Sequence, residues 1–199
     1  MRHRMMRWVV GLFVCGMSIA PPAGATTYAI DKDHTTVGFK IRHLFSYVQG
    51  SFNAFEGSLT YVPGEPSQWT VKATIQAASI DTNVEKRDQH LRSKDFFDVE
   101  QFPTIEFSST KVTDATPSSA KLHGLLTIHG VQKPVVLDLA LHGEGKDPWG
   151  NVRSGFTAKT TINRKDYGLT WNQTLETGQL LVGEEVEIVL EVEGLAQTE

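Results

Sequence analysis

The chain has 199 residues, a formal net charge of −4, 40% hydrophobic residues and one cysteine, Cys15. The acidic balance argues against nucleic acid and against anionic membrane surfaces, both of which recruit clustered Lys and Arg. A lone cysteine excludes an intrachain disulfide framework and a cysteine-ligated metal cluster.

The first stretch reads as an export signal. Arg2, Arg4 and Arg7 precede an apolar run, Trp8 to Ala20, that is too short to span a bilayer, and Ala23-Gly24-Ala25 has the small-x-small form of a cleavage site. The expectation is a secretory signal peptide over 1–25 and a domain over 26–199 in the periplasm. A membrane anchor is the alternative. A lipoprotein signal at Cys15 fits poorly, because bulky Val14 precedes the cysteine. Cleavage after Ala25 would remove Arg2, Arg4, Arg7 and Cys15, leaving 174 residues at a net charge of −7. That length suits one domain with its own core, and it leaves no thiol for catalysis.

Beyond Ala25 nearly everything alternates with period two. Val37, Phe39 and Ile41 alternate with Gly38, Lys40 and Arg42. Val71, Ala73, Ile75 and Ala77 form a second apolar row, and Ile105 and Phe107 flank Glu106. Val135, Leu137, Leu139 and Leu141 share a face, as do Phe156, Ala158 and Ile162, and then Val186, Ile188, Leu190 and Val192. Turn signals at Pro63-Gly64, Asp114–Ser119, His129-Gly130 and Asp147-Pro148-Trp149-Gly150 separate the rows. This is half-buried antiparallel sheet. About eight strands are expected, with a short one at Tyr28–Ile30. Such strands either stack as a sandwich or close into a barrel. Their length favours a barrel, as does the mixing of large side chains with Gly and Ala on the apolar face, which leaves room inside.

One helix signal interrupts the strands, over about residues 82–93. Thr82 followed by Glu85 has the spacing of a capping box, and Arg87 and His90 share a helix face. Phe96-Phe97 then offers an apolar anchor. The cluster Asn83, Arg87, Asp88 and His90 is either a solvated helix face or a polar rim that meets a ligand head group. A second polar knot, Asn163-Arg164-Lys165-Asp166-Tyr167-Gly168, follows a strand; it reads as a structural turn with Gly168 at positive φ, or as Arg164 and Asp166 bracing the same rim. No nucleophile elbow, phosphate loop or zinc motif is present. His34 and His43 are nine apart and need not meet; His123, His129 and His142 sit on polar faces. Asp88 with His90 is the acid–base candidate for a lipid-directed hydrolase or isomerase, a reading weakened by the missing nucleophile.

Taken together, these residues resemble the YceI family of exported, lipocalin-like, polyisoprenoid-binding proteins. The resemblance runs through Asp33-His34-Thr35-Thr36-Val37-Gly38-Phe39, His43-Leu44, Gly50-Ser51-Phe52 and Phe55-Glu56-Gly57. It continues in Thr82-Asn83, Arg87-Asp88, His90-Leu91, Asp95-Phe96-Phe97-Asp98, Phe102-Pro103-Thr104-Ile105, Gly124 to Val131, and Asn163-Arg164 with Asp166-Tyr167-Gly168. Thr35 stands where the family's Ser-x-Val-x-Phe pattern has serine. The lipocalin Gly-x-Trp of the first strand is absent.

The resemblance implies an extended antiparallel eight-stranded barrel with one short helix and no catalytic residue or catalytic cofactor. The implied ligand is a long-chain lipid, namely a polyisoprenoid, isoprenoid quinone or polyprenyl phosphate. The apolar tube would be lined by Val37, Phe39, Ile41, Phe52, Phe55, Ile75, Phe96, Phe97, Ile105, Phe107, Leu126, Leu137, Leu139, Phe156 and Ile188. The polar mouth would carry Asn83, Arg87, Asp88, His90, Arg164 and Asp166. A binding module that hands a quinone to a membrane redox protein, and a homodimer, are further partner readings. Burial of a lipid chain contributes about 0.8 kcal/mol per CH₂, so eight carbons supply roughly 6 kcal/mol before association costs.

Overall fold

Alternation with period two gives every long strand one apolar face, and these faces close on themselves. The computed structural model describes residues 25–197; apart from Ala25, the expected signal peptide lies outside the described residues. Eleven strands and one α-helix follow in chain order. They are β1 (Thr26–Ile30), β2 (Thr36–His43), β3 (Ser46–Phe52), β4 (Phe55–Tyr61), β5 (Thr70–Gln76), β6 (Ile80–Asp81), α1 (Glu85–Arg92), β7 (Thr104–Thr113), β8 (Ser119–Ile128), β9 (Val131–Lys146), β10 (Val152–Asn163) and β11 (Val182–Ala196).

Eight of these strands form a closed antiparallel ring, β1-β4-β5-β7-β8-β9-β10-β11, with β11 returning to β1. The short first strand is therefore part of the ring, while two longer strands extend it. β11 is long enough to serve two partners on one edge: Gly194–Ala196 pair with β1, and Val182 to Glu191 pair with β2. β10 takes the other edge. So β1 and β2 lie end to end along β11, and the β2-β3-β6 arm lengthens the barrel wall towards α1. Closure removes the free edges that an open sheet would expose.

The interior is partly filled. One buried cluster joins Phe52, Ile80, Ile105, Leu126, Ile128, Tyr167 and Leu169 near α1; a second, around Leu122, Leu137 and Ala158, lies deeper. Tyr28 is fully buried and stands opposite Leu59 on the inward face, where its hydroxyl donates to the Glu144 carboxylate. It stops the end of the barrel remote from α1. The glycines on the inner face do not leave empty space. A Cβ on Gly124 would lie 2.4 Å from the Phe107 ring, and one on Gly50 would lie 2.5 Å from Phe39. Both glycines let an aromatic ring lie against the wall.

The helix starts later than its sequence suggests. α1 begins at Glu85 with Val84 as its N-cap residue, and no side chain caps it. The expected capping box does not form because Thr82 is buried and turned inward. Its N–H (2.9 Å) and its hydroxyl both donate to Asp88 Oδ1. Glu85 instead accepts from Gln89 Nε2 at 2.9 Å, an i,i+4 contact on the outer face. Asn83 turns the chain between the two at φ 61°.

Candidate ligand-binding site

Inside the ring lies a cavity of about 650 Å³, within the usual range for small-molecule and lipid sites. Its wall is built by inward-facing rows, each from one strand: Thr35 to His43 at β2, Phe55, Leu59 and Tyr61 on β4, Val71, Ala73 and Ile75 on β5, Val135, Leu137 and Leu139 on β9, and Val186 to Val192 on β11. Every residue of the expected tube is in that wall: Val37, Phe39, Ile41, Phe52, Phe55, Ile75, Phe96, Phe97, Ile105, Phe107, Leu126, Leu137, Leu139, Phe156 and Ile188. The row on β10 runs Phe156, Ala158, Thr160, Ile162 and on to Arg164. Eight residues of strand cover about 26 Å, or about 20 Å along the barrel axis once the usual strand tilt is counted. The cavity is thus long and narrow.

Aromatic side chains line both ends. Remote from α1, Tyr61 packs on Trp69 at 4.9 Å and on Phe156 at 5.7 Å between ring centroids. At the α1 end, His90 stands edge-on to Trp171 at 4.8 Å and to Phe96 at 5.1 Å. Trp69, Tyr61 and Trp171 were not among the residues expected from sequence. Tyr61 could have been found by extending the Phe55-Gly57-Leu59 alternation two residues. Trp69 could likewise have been found by extending the Val71-Ala73-Ile75 row two residues back, whereas Trp171 lies on a connecting segment with no strand row to extend.

The expected polar mouth divides in two. Arg87, His90 and Arg164 line the cavity. Asn83, Asp88 and Asp166 do not, contrary to the expectation. Asn83 is exposed and its N–H donates to Asp81 Oδ1 at 2.7 Å. Asp166 is exposed on the turn after β10. Asp88 is buried, only 3% exposed, with its carboxylate committed to Thr82. Asp88 and His90 therefore do not form an acid–base pair facing the cavity; His90 Nε2 lies 2.8 Å from Asp95 Oδ2 instead.

Local hydrogen bonds fix the remaining polar side chains. Arg87 donates from Nε to Thr82 Oγ1 (2.7 Å) and from Nη2 to the Thr82 carbonyl (2.8 Å). Arg92 donates to the Ala78 and Ile80 carbonyls, both at 2.8 Å, and ties α1 to the β6 arm. Arg164 opens a 3₁₀ turn, Arg164–Tyr167, in which Asn163 accepts from the Lys165 N–H and Gly168 takes φ 80°. Its guanidinium is 3% exposed and donates from Nε to the Gly183 carbonyl at 2.8 Å and from Nη1 to the Leu169 carbonyl. Burial pulls the Arg164 pKa below its ordinary value, and the charge of Glu184 partly offsets this. Burial pushes the neighbouring Tyr167 phenol up to about 12.

A metal site is not supported by the histidines. His43 lines the cavity, whereas His34 lies outside it in the β1–β2 connection, with Nδ1 2.9 Å from Asp31 Oδ2. Asp31, His34 and Glu193 do offer ligand atoms within 4.8 Å of one another. Arg153 Nη1, however, already bridges Asp31 and Glu193 at 2.5 Å each and supplies the positive charge a cation would bring.

The comparisons with known proteins agree with this architecture. The family model described as YceI-like domain matches residues 28–194. The chain belongs to the YceI family. Among curated relatives of this YceI protein, a UPF0312 protein of Pseudomonas aeruginosa is 42% identical over 189 residues, covering 94% of this chain and 93% of that one. A YCEI protein of Campylobacter jejuni is similar in structure, with a TM-score of 0.68 at 33% identity over 85% of this chain and 96% of that chain. A polyisoprenoid binding domain from Saccharophagus degradans, implicated in plant cell wall breakdown, shares the fold at a TM-score of 0.63 and 14% identity, covering 85% and 98%. Among the described residues of this YceI chain, no helix is long and apolar enough to cross a membrane.

Proposed function

We propose that this YceI protein binds a long-chain apolar lipid, an isoprenoid chain above all, inside its barrel and carries or stores it in the periplasm. The observation that carries the reading is the cavity: long, walled by fifteen expected apolar side chains with further aromatics at both ends. Such a wall offers a chain no specific hydrogen bond along its length, so affinity comes from removing methylenes from water. The Saccharophagus degradans domain of the same fold, described as polyisoprenoid binding, supports the ligand class. The expected signal peptide over 1–25 supports export. A binding role, rather than catalysis, is favoured because Asp88 is spent on Thr82 and does not face the cavity.

Organic extraction of the purified protein followed by mass spectrometry tests the proposal. A long-chain lipid released in roughly equimolar amount is the expected result. A protein that yields no lipid, and that after delipidation takes up neither a prenyl nor an acyl chain, would contradict it.

A further inference from the structure

The cavity ends where three aromatic rings meet, and two of them come from strands that are not neighbours. Tyr61 is the last residue of β4, and Phe156 lies on β10. Around the ring, β1 and β11 stand between these strands on the shorter path. Three strand spacings, roughly 14 Å of wall, separate them. Yet the two rings are 5.7 Å apart between centroids, edge to face. A contact that short between strands that far apart runs across the lumen, not along the wall. Trp69 immediately precedes β5 and packs on Tyr61 at 4.9 Å. Its indole N–H donates to the Val62 carbonyl at 2.6 Å, which fixes the ring.

The inward rows place the end of the cavity at the same level. Phe156 and Val192 are register partners on β10 and β11, and both line the cavity. The next inward pair, Ser154 and Gly194, does not, and Ser154 is buried. Tyr28 fills the space behind. It faces inward without lining the cavity, and a Cβ on Gly194 would lie 2.8 Å from its own Cβ. Its hydroxyl reaches across from β1 to Glu144 on β9. The rings therefore have a packed layer at their backs and no room to swing aside.

We infer that Trp69, Tyr61 and Phe156 are the length stop of the tube: the free end of a bound chain abuts these rings, and Tyr61 and Phe156 set the longest chain that is fully buried. The inference rests on the lipid-binding reading above and adds a chain-length limit to it. A methylene inside the tube leaves water; one that the rings keep out stays in solvent at the other end and adds no affinity.

Calorimetric titration of delipidated protein with saturated alkyl phosphates of increasing length tests the limit. In the unaltered protein affinity rises with each carbon and then levels off. In Phe156→Leu, and separately in Tyr61→Leu, the levelling point moves to chains about two to four carbons longer, because leucine has three fewer side-chain heavy atoms than phenylalanine and four fewer than tyrosine. A chain two carbons past the old limit then binds about 15-fold tighter than to the unaltered protein. A levelling point that stays put in both variants overturns the stop, and so does an equal loss of affinity at every length, which is what a purely structural role would give. Failure of the unaltered protein to bind any chain overturns lipid binding itself. Circular dichroism checks that each variant folds. A measurement on the unaltered protein decides independently of both: nuclear Overhauser contacts from the terminal methyl of the bound chain fall on Trp69, Tyr61 and Phe156. Contacts from that methyl to Phe96 and Trp171 instead would overturn the inference.

Discussion

At the residue scale, the helix region shows how a polar cluster can be structural rather than functional. Asp88 holds the N–H and hydroxyl of Thr82, and Thr82 in turn receives Arg87. Removing the carboxylate would leave two buried donors unpaired. Asp88→Ala is expected to lower stability by about 2–3 kcal/mol, in the range for hydrogen bonds to a charged group. Asp166→Ala, on an exposed turn residue, should stay within about 0.5 kcal/mol. Urea midpoints of the two variants check both; similar losses for the two would contradict the assignment. In sequence the two aspartates looked alike, each within two residues of an arginine in a polar knot. Burial separates them, and burial of a polar residue leaves no trace in alternation. Arg164 is the instructive exception. It continues the inward row Phe156, Ala158, Thr160, Ile162 in strict period two, so its inward direction was legible, though its bonds to the Gly183 and Leu169 carbonyls were not.

At the element scale, the strands were readable because one side of each faces a dry interior and the other faces water. The apolar tube was legible for that reason. The helix start was not, because the Thr-x-x-Glu spacing of a capping box also arises where the threonine is pulled inward by a different carboxylate. The connections are held by charge. Arg153 on β10 bonds Asp31 in the β1–β2 connection, Asp147 in the β9–β10 turn and Glu193 on β11. The Arg153 guanidinium, with help from His34, holds the Asp31 carboxyl at about 2, well below the ordinary carboxylate range. A depressed carboxylate pKa contributes stability that is present above the unfolded value, about 4, and is lost as pH falls through the folded one. His34 has the opposite sign. Asp31 raises its pKa, so its contribution is full below the ordinary histidine value and fades as pH rises past it. The stability difference between the unaltered protein and Asp31→Asn should therefore shrink between pH 4 and pH 2. Urea midpoints across that window check it, and a constant difference would contradict the pairing.

At the scale of the whole molecule, the sheet is a sleeve around a narrow space. Tyr28 stops one end; towards the other, Phe96, Trp171, Arg164 and the α1 residues Lys86, Arg87 and His90 line the wall. Closure of eight strands follows from the strand count and from β11 serving β1 and β2 on one edge. Sequence alternation gave no sign of that double pairing, since it depends on strand length and on where neighbouring strands end. The central claim is that the space holds an extended chain by apolar burial. A chain-length series of saturated alkyl phosphates, titrated against delipidated protein, tests it most directly. Each added CH₂ should tighten binding about fourfold, from about 0.8 kcal/mol per methylene, until the tube is full, after which further carbons add nothing. An affinity independent of chain length would contradict the account.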